Sequence, residues 1–259
     1  MFKIATWNIN SIRIRLPRLL TWLDVNQPDI IALQETKISD ADFPVQAIKD
    51  AGYEMVFAGQ KSYNGVAILS RNKSSDIMTD LLEYEDPQRR VLAAVIDNIR
   101  ILNLYIPNGQ SVGSEKYHYK LDWLNKLDIF LKQELKKHPQ TIVLGDFNIA
   151  PDDIDVHDVK RWQGKIMFSD AERNAFQDML KIGFHDCFRI LNPAEKSFSW
   201  WDYRTYGFSQ NLGLRIDHIL MSDALIKNCK KCYIDVAMRK EERPSDHAPV
   251  IAEFELFAK

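Results

Sequence analysis

The chain has 259 residues, of which 46% are hydrophobic and 27% are charged, so it can bury a sizeable core in one large or two small domains. Its formal net charge of −2 argues against a protein that binds nucleic acid mainly through a global basic field, although a basic face can coexist with an acidic metal site. No apolar run approaches the length of a membrane span, and the first residues show no signal-peptide pattern. We therefore expect a cytoplasmic protein without a membrane partner.

Short apolar runs bounded by turn residues predict strands along the whole chain. In chain order these runs are KIATWNI, DIIALQET, GVAILS, RVLAAVI, IRILNLYIP, TIVLGDF, IDHILMS, CYIDVAM and APVIAEFEL. The fourth and fifth runs are typical of an antiparallel hairpin that turns at Asp97 and Asn98, which a purely parallel sheet would not need.

Helical patterns lie between some of these runs. The clearest covers residues 115–137, where tyrosine and leucine recur at steps of three and four. LPRLLTWLDVNQ and DAERNAFQDMLKIG are shorter, and for the latter we expect Asp170 as the N-cap and Gly183 as the C-cap. Because no linker, repeat or charge block divides the chain, we predict one α/β domain over residues 1–259. Two packed mixed β-sheets flanked by helices best accommodate so many strands and so few helices.

Polar side chains end or interrupt six of the apolar runs. Thr141 to Leu144, for example, read as a fully buried strand, and Asp146 and Asn148 follow almost at once. The other polar residues in such positions are Asn8, Asn10, Gln34, Glu35, Tyr105, Asn108, Asp217, Asp246 and His247. Each has an ordinary explanation as a turn, bulge or cap residue. Together they would leave several uncompensated polar groups at one sheet end, so a shared pocket explains the set better.

The chemistry of this set favours a hard divalent cation and a phosphate substrate. Oxygen donors from Asn8, Glu35 and Asp246, with Asp146 as a further candidate, suit Mg²⁺ or Mn²⁺. His247 beside a carboxylate suits the stabilisation of an anionic phosphate, with a second aspartate orienting the imidazole. The sequence has no His-Cys cluster for zinc, no Gly-x-Ser-x-Gly elbow and no Walker loop. The combination indicates metal-assisted attack of water on a phosphoester.

The three cysteines, Cys187, Cys229 and Cys232, are too few for a disulfide framework. Cys229 and Cys232 have the Cys-x-x-Cys spacing, but they follow the end of a helix-like run, whereas a redox site would lie at the start of a helix. We therefore interpret this spacing as structural.

Eight motifs give the chain a family resemblance. TWNINSIR, LQETK, GVAILS, YIPNG, GDFNIAP, FSWWDYR, GLRIDHIL and SDHAPV occur in the order found in the exonuclease III family, the apurinic/apyrimidinic endonuclease branch of the DNase I-like phosphodiesterases. The resemblance runs from residue 4 to about residue 250 and is strongest to the bacterial exonuclease III type. It implies a four-layer α/β sandwich with the site between the two sheets, and a Mg²⁺- or Mn²⁺-dependent repair nuclease acting as a monomer on double-stranded DNA with abasic sites or 3′ lesions.

The resemblance also implies roles for individual residues. Glu35 resembles the principal metal ligand, and Asp146 the residue that activates water or holds a second metal. Tyr105 resembles the active-site tyrosine, and Asp217 the carboxylate that orients a phosphate-contacting histidine. The full implied set is Tyr105, Asp146, Asn148, Asp217 and His247 for catalysis and Asn8, Glu35, Asp146, Asn148, Asp246 and His247 around the metal.

A further group of residues is expected to contact DNA. Asn108 resembles a phosphate contact, Trp200 an aromatic that lines the pocket for the base-free sugar, and Leu214 occupies a position where some relatives have tryptophan. The loop VHDV is shorter than in the exonuclease III type, which brings His157 near the expected substrate. Basic side chains that could track phosphates are Arg13, Arg15, Arg89, Arg90, Lys160, Arg161 and Lys165.

Two other functions remain open from the sequence. The same fold could hydrolyse RNA, an inositol phosphate or a sphingolipid, although the tryptophan-rich FSWWDYR motif and the lack of a membrane-binding loop disfavour the lipid. A non-catalytic regulatory protein on this scaffold would lack the catalytic set that is present here. Within the nuclease function, the balance of abasic-site incision, 3′–5′ exonuclease and 3′-phosphatase activity is also open.

Overall fold

The computed structural model of the chain describes residues 1–81 and 86–255. Its strands, in chain order, are β1 (Phe2–Asn8), β2 (Ile30–Gln34), β3 (Glu54–Ala58), β4 (Val66–Ser70), β5 (Ser75–Met78), β6 (Val91–Ile96), β7 (Ile99–Tyr105), β8 (Thr141–Asp146), β9 (Phe184–Asp186), β10 (Trp200–Trp201), β11 (Gly213–Leu214), β12 (Asp217–Ser222), β13 (Cys229–Ile234) and β14 (Val250–Phe254). The α-helices are α1 (Ile12–Asn26), α2 (Val45–Asp50), α3 (Glu115–Lys137), α4 (Val159–Trp162), α5 (Asp170–Lys181), α6 (Cys187–Leu191) and α7 (Asp223–Ile226).

Two six-stranded mixed sheets form the centre of the fold. The first has the order β13-β14-β1-β2-β4-β3 and the second the order β5-β6-β7-β8-β12-β9. Each contains one parallel pair at its centre, β1 with β2 and β7 with β8, and its other neighbours are antiparallel. β10 and β11 form a separate two-stranded ribbon. The predicted α/β class with two mixed sheets is confirmed.

The alternation of side chains along each strand produces four layers. In β2, Ile30 and Ala32 point into the core between the two sheets, whereas Ile31 and Leu33 pack with apolar residues of α1 and α2. The second sheet divides in the same way, with Ile142 facing the other sheet and Val143 facing α3 and α5. The predicted four-layer α/β sandwich therefore follows from strands that are apolar on both faces.

Local patterns fixed several element boundaries. The helix expected over residues 115–137 is observed over that range. Asp97 and Asn98 have φ of 50° and 63° and join β6 to β7, as a two-residue hairpin turn requires. The expected N-cap Asp170 is wrong by one residue, because Ser169 is the N-cap and forms a reciprocal capping box with Glu172.

No helix in residues 1–81 and 86–255 is long and apolar enough to cross a membrane. Cys229 and Cys232 belong to β13, a strand, and all three cysteines are buried and free. A redox site would need this pair at the start of a helix, and Cys229 and Cys232 do not lie at one.

Candidate active site

The candidate site lies where the two parallel strand pairs end side by side. β1 and β2 finish at Asn8 and Gln34, which are in register, and Glu35 follows directly. β7 and β8 finish at Tyr105 and Asp146, which are also in register. Because parallel strands end at the same edge of a sheet, both pairs bring polar side chains to one edge of the molecule.

The strand ends use backbone conformations that few residues adopt. Gly145 has φ of 146°, and a Cβ atom there would lie 1.9 Å from the carbonyl oxygen of Leu104, so glycine is needed immediately before Asp146. Glu35 and Asn148 both have φ of 50°, in the left-handed region. Such conformations cost about 1–3 kcal/mol each, and here they turn the chain sharply at the point where its side chains meet.

Three titratable side chains converge at this edge. Metal-binding atoms of Glu35, Asp146 and His247 lie within 4.8 Å of one another. Asn8 links the two carboxylates, since its Nδ2 donates to Glu35 Oε1 and to Asp146 Oδ2, each at 2.8 Å. Its Oδ1 accepts from the backbone amide of Asn10 at 3.1 Å. In this structure Asn8 therefore bridges the carboxylates, and its predicted ligand role would need the opposite orientation of the amide.

The oxygen atoms that this cluster offers as ligands fit a hard divalent cation. Carboxylates are acceptors only, so two of them side by side repel each other unless a positive charge lies between or beside them. Lys37 supplies one such charge, with its Nζ 2.8 Å from Glu35 Oε2 and 2.6 Å from Asn10 Oδ1. Lys37 lies in the LQETK motif but had no predicted role.

Asp217 holds the imidazole of His247. The two oxygens of Asp217 lie 3.1 and 2.9 Å from His247 Nδ1, and His247 Nε2 lies 3.7 Å from Asp146 Oδ2. Burial acts to lower the pKa of His247, but the charges of Asp217 and Asp146 outweigh it and raise this pKa to about 10. At neutral pH His247 is therefore an imidazolium whose Nε2 faces the carboxylate cluster.

Burial also perturbs two other groups at the site. It raises the pKa of Asp146 to about 7. The charge of His247 acts to lower this pKa, and the charges of Asp217 and Glu35 act to raise it further. Burial and the charges of Glu35 and Asp146 raise the pKa of Tyr105 well above its usual value of 10, so Tyr105 keeps its phenolic proton. Perturbed titrations of this kind are typical of catalytic sites, where desolvation and specific charges act together.

Asn108 and Asn148 form a second polar pair, which contacts Asp146. Asn108 Nδ2 donates to Asn148 Oδ1 at 2.9 Å, and Asn148 Nδ2 donates to the carbonyl of Ile106 at 3.0 Å. The backbone amide of Asn148 donates to Asp146 Oδ1 at 2.9 Å. These bonds fix the amide of Asn148 beside the carboxylate that sequence analysis assigned to water activation.

Asp246 lies beside the convergent cluster and is engaged elsewhere. Its Oδ1 accepts from Asn10 Nδ2 at 2.8 Å, and its Oδ2 accepts from Trp200 Nε1 at 3.1 Å. The metal-ligand role of Asp246 stays a prediction. The bond to Trp200 holds that indole 6.5 Å, between ring centroids, from His247.

His157 lines a cavity of about 170 Å³ together with Trp200, Trp162 and Arg161. Its ring is anchored at Nδ1 in either tautomer, since a protonated Nδ1 donates to the carbonyl oxygen of Gly213 at 3.2 Å and an unprotonated Nδ1 accepts from Trp162 Nε1 at 3.3 Å. Within the described residues its Nε2 is shielded from solvent and has no hydrogen-bond partner. His157 therefore forms part of the wall next to the tryptophan that was expected to meet the sugar.

The loop that carries His157 is tied to the core by buried charges. Asp155 accepts from Arg215 Nε at 2.6 Å and from Arg189 Nη2 at 2.5 Å, and Arg215 also pairs with Asp186 at 2.8 Å. Two carboxylates and two guanidinium groups balance in charge, which is the condition for a buried ionic group to be tolerated. This network keeps the shortened loop in place.

Two sequence predictions do not agree with the observed burial. Leu214 is fully buried, and its backbone pairs with Trp200 and Val156, so it supports the wall of the site and has no surface to offer DNA. Gln34 points between the sheets, where its Nε2 donates to Asn103 Oδ1 at 2.7 Å. It therefore joins the two sheets and does not line the pocket.

Basic side chains surround part of the site. A second cavity, of about 500 Å³, is lined by Arg90, Asn108, Lys116 and Arg204 among others, and the Arg90 guanidinium stacks over the Tyr105 ring at 4.6 Å. Of the predicted phosphate-tracking residues, Arg15 is buried and donates to backbone carbonyls, including that of Pro244 at 2.9 Å. Its role is therefore to hold the loop before Asp246.

Known proteins are similar to this chain over nearly its whole length. A model of the Endonuclease/Exonuclease/phosphatase family matches residues 5–247. The chain belongs to this family. Exodeoxyribonuclease III of Haemophilus influenzae is 38% identical over 265 aligned residues, which cover 97% of this chain and 99% of that protein. Membership of the family and similarity to such relatives make the chain a hydrolase of the exonuclease III type.

Two solved structures of the family are similar over nearly the whole chain. A variant of the 3′ phosphatase NExo from Neisseria, bound to a product DNA hairpin, is 44% identical with a TM-score of 0.97, and the match covers 99% of this chain and 100% of that one. An AP endonuclease from Archaeoglobus fulgidus is 38% identical with a TM-score of 0.95, with 99% and 100% coverage. The resemblance stated from the motifs is thereby confirmed.

Proposed function

We propose that this family member is a metal-dependent DNA repair phosphodiesterase that acts on double-stranded DNA at abasic sites and at 3′ ends. The proposal includes Mg²⁺ or Mn²⁺ as the cation, a monomer as the active species and the cytoplasm of a bacterium as its location. Relatives named exodeoxyribonuclease III, 3′ phosphatase and AP endonuclease support the substrate class.

One observation supports the function most strongly, namely the convergence of Glu35, Asp146 and His247 at the meeting point of the two sheets. Oxygen donors from two carboxylates suit a hard cation, and an imidazolium beside them suits a phosphate oxygen. When bound there, a divalent cation supplies charge neutralisation of the phosphate and polarisation of water.

The chain's own residues have separable roles in this proposal. Asp146, with a pKa of about 7, accepts the proton of the attacking water. His247 donates from Nε2 to a phosphate oxygen, and Asp217 fixes the imidazole by binding Nδ1. Asn148 has one amide hydrogen beyond its bond to Ile106 and directs it to the phosphate.

The position of His157 favours 3′-end processing over incision at internal abasic sites. An extruded sugar would need the space next to Trp200, and the anchored His157 ring lies in the wall of that cavity. A terminal 3′ phosphate enters from a free end and needs less of this space. Solvated loop histidines are common, but this ring is held at its Nδ1.

Three matched duplexes test the proposal. One carries an internal abasic site, one a 3′ phosphate and one a recessed 3′ hydroxyl, and each is incubated with the purified protein and Mg²⁺ or EDTA. We expect Mg²⁺-dependent products, with the 3′ phosphate removed faster than the abasic site is incised. The Asp146→Asn protein, prepared identically, controls for contaminating nucleases. Absence of cleavage of all three duplexes, or equal cleavage by the Asp146→Asn protein, would contradict the function.

A further inference from the structure

Lys120 is an ammonium group in the core that sequence analysis left without a role. It lies on α3, three residues after Tyr117 and four before Leu124, and this spacing places its fully buried side chain on the apolar face of the helix. A lysine is rarely buried unless its charge is paired and its three N–H groups are bonded. The partners of its Nζ therefore show what this side chain does.

The three hydrogens of Lys120 Nζ meet three acceptors. Nζ lies 2.5 Å from Glu172 Oε1, 2.8 Å from the carbonyl oxygen of Asn148 and 3.3 Å from the carbonyl oxygen of Asn108. The last two residues are the asparagines whose side chains bond each other at the site. One ammonium thus binds the backbone carbonyls of both asparagines, whose side chains belong to the candidate site.

Glu172 completes this arrangement from α5. Its Oε1 also accepts from the backbone amide of Met167 at 3.0 Å, and its Oε2 accepts from the amide and the hydroxyl of Ser169 at 3.1 and 2.6 Å. Both carboxylate oxygens are therefore fully engaged. Through these bonds the ion pair joins four segments: α3, the loop after β7, the loop after β8 and the start of α5.

Stability alone does not require an ion pair here. Replacing a buried pair by apolar side chains of similar volume is often neutral or stabilising, because the charges no longer have to be desolvated. Apolar side chains could fill the space, but they could not bind two carbonyl oxygens at defined positions. What the ammonium adds is the placement of Asn108 and Asn148 relative to each other.

We infer that Lys120, held by Glu172, is a positioning residue for the phosphodiesterase reaction: it fixes Asn108 and Asn148 through their backbone carbonyls and does not touch the substrate. The inference rests on the proposed function of the site. It predicts a loss in kcat with little change in KM, since Lys120 is fully buried and cannot contact DNA. A misplacement of about 1 Å at a catalytic group can cost about 100-fold in rate.

The test compares two buried ion pairs that each have one member on α3. Lys120→Met/Glu172→Gln removes the positioning pair without leaving an unpaired buried charge. Arg100→Met/Glu134→Gln removes a matched pair, whose Nε and Oε2 are 2.7 Å apart, about 21 Å along α3 from Lys120. Melting temperature, kcat and KM are measured for both, with the duplex that the unmodified protein cleaves best.

We expect kcat to fall about 10- to 100-fold in Lys120→Met/Glu172→Gln, with KM within about threefold, and both constants to stay within about threefold in the Arg100→Met/Glu134→Gln control. A kcat within threefold of the unmodified value in Lys120→Met/Glu172→Gln would overturn the inference. So would equal losses in the two double variants, because kcat would then follow general loosening of the fold.

A second measurement does not depend on activity or on the proposed substrate. Solvent exchange of the Asn108 side-chain amide, followed by ¹⁵N NMR, reports its bond to Asn148 directly. We expect exchange at least about tenfold faster in Lys120→Met and in its double variant, and unchanged in the Arg100→Met/Glu134→Gln control. Unchanged exchange in folded Lys120→Met protein would also overturn the inference. If the unmodified protein cleaves no duplex but amide exchange is still faster in Lys120→Met, only the proposed function is contradicted.

Discussion

Replacing Asp217 by Asn tests whether the charge of this carboxylate keeps His247 protonated. The carboxylate of Asp217 is the main cause that raises the pKa of His247, from 6.5 to about 10, in spite of burial. At about 1.36 kcal/mol per pKa unit, the shift corresponds to about 5 kcal/mol in favour of the imidazolium. An asparagine oxygen can still accept from Nδ1, but it carries no charge. We therefore expect the pKa of His247 to fall in Asp217→Asn, so that burial again favours the neutral ring.

The sign of the pH dependence follows from this shift. A histidine whose pKa is higher in the folded state stabilises the fold fully below its unfolded pKa of 6.5, and that contribution is lost as the pH rises through about 10. In EDTA, the contribution of His247 to the free energy of unfolding of the unmodified protein should fall by up to about 5 kcal/mol as the pH rises from 6.5 to about 10. Asp217→Asn should lose much less, and its kcat at pH 8 should be lower by about 100- to 1,000-fold.

Two assays and one control apply to this prediction. ¹⁵N NMR of the His247 ring reports its protonation in metal-free protein, and kcat/KM is measured from pH 6 to 9. The control is Asp223→Asn, which removes a more exposed Asp–His pair, with Asp223 Oδ1 2.6 Å from His185 Nε2. This substitution should change the free energy of unfolding by no more than about 1 kcal/mol. If the His247 ring of Asp217→Asn still carries both protons at pH 9, the reasoning is refuted.

The other predictions concern metal binding, the activation of water and the choice of substrate. Activity should be abolished by EDTA, and Glu35→Ala should lower the rate and raise the Mg²⁺ concentration needed for half-maximal activity, because a carboxylate ligand is lost; full activity in EDTA would exclude this role. Asp146→Asn should lower kcat by at least about 1,000-fold, since an amide cannot accept the proton of water, while DNA binding by fluorescence anisotropy stays within about threefold; near-native turnover would remove Asp146 from the mechanism. His157→Gly should raise abasic-site incision relative to 3′-phosphate removal at least about tenfold if the ring obstructs the sugar; an unchanged ratio would make His157 an ordinary loop residue.

Sequence alone predicted the elements whose signals are local. The alternating apolar strands, the helix over residues 115–137 and the turn at Asp97 and Asn98 are encoded within a few residues of one another, and the structure agrees with them. The polar strand ends were also visible, because a carboxylate such as Asp146 at the exit of an apolar strand has few acceptable environments. The ordered motifs then identified the family.

Features that depend on packing between distant segments were not predictable in the same way. Lys120 shares the buried face of its helix with Tyr117 and Leu124, but the carboxylate that pairs with its charge, Glu172, is 52 positions away in the sequence. Leu214 was expected to contact DNA because it occupies a position where some relatives have tryptophan, but strand pairing buries it. Likewise, the orientation of the Asn8 amide depends on the carboxylates of Glu35 and Asp146, which lie 27 and 138 positions away in the sequence, so no local pattern contains them.

Oxygen isotope incorporation tests the central claim, metal-assisted attack of water on phosphorus, most directly. A duplex with a 3′ phosphate and one with an internal abasic site are cleaved in H₂¹⁸O with Mg²⁺, and the products are analysed by mass spectrometry. The proposed mechanism predicts one ¹⁸O atom in the released inorganic phosphate and one in the 5′ phosphate left by incision. Phosphate products without ¹⁸O would show that a carbon–oxygen bond had broken, and would contradict it.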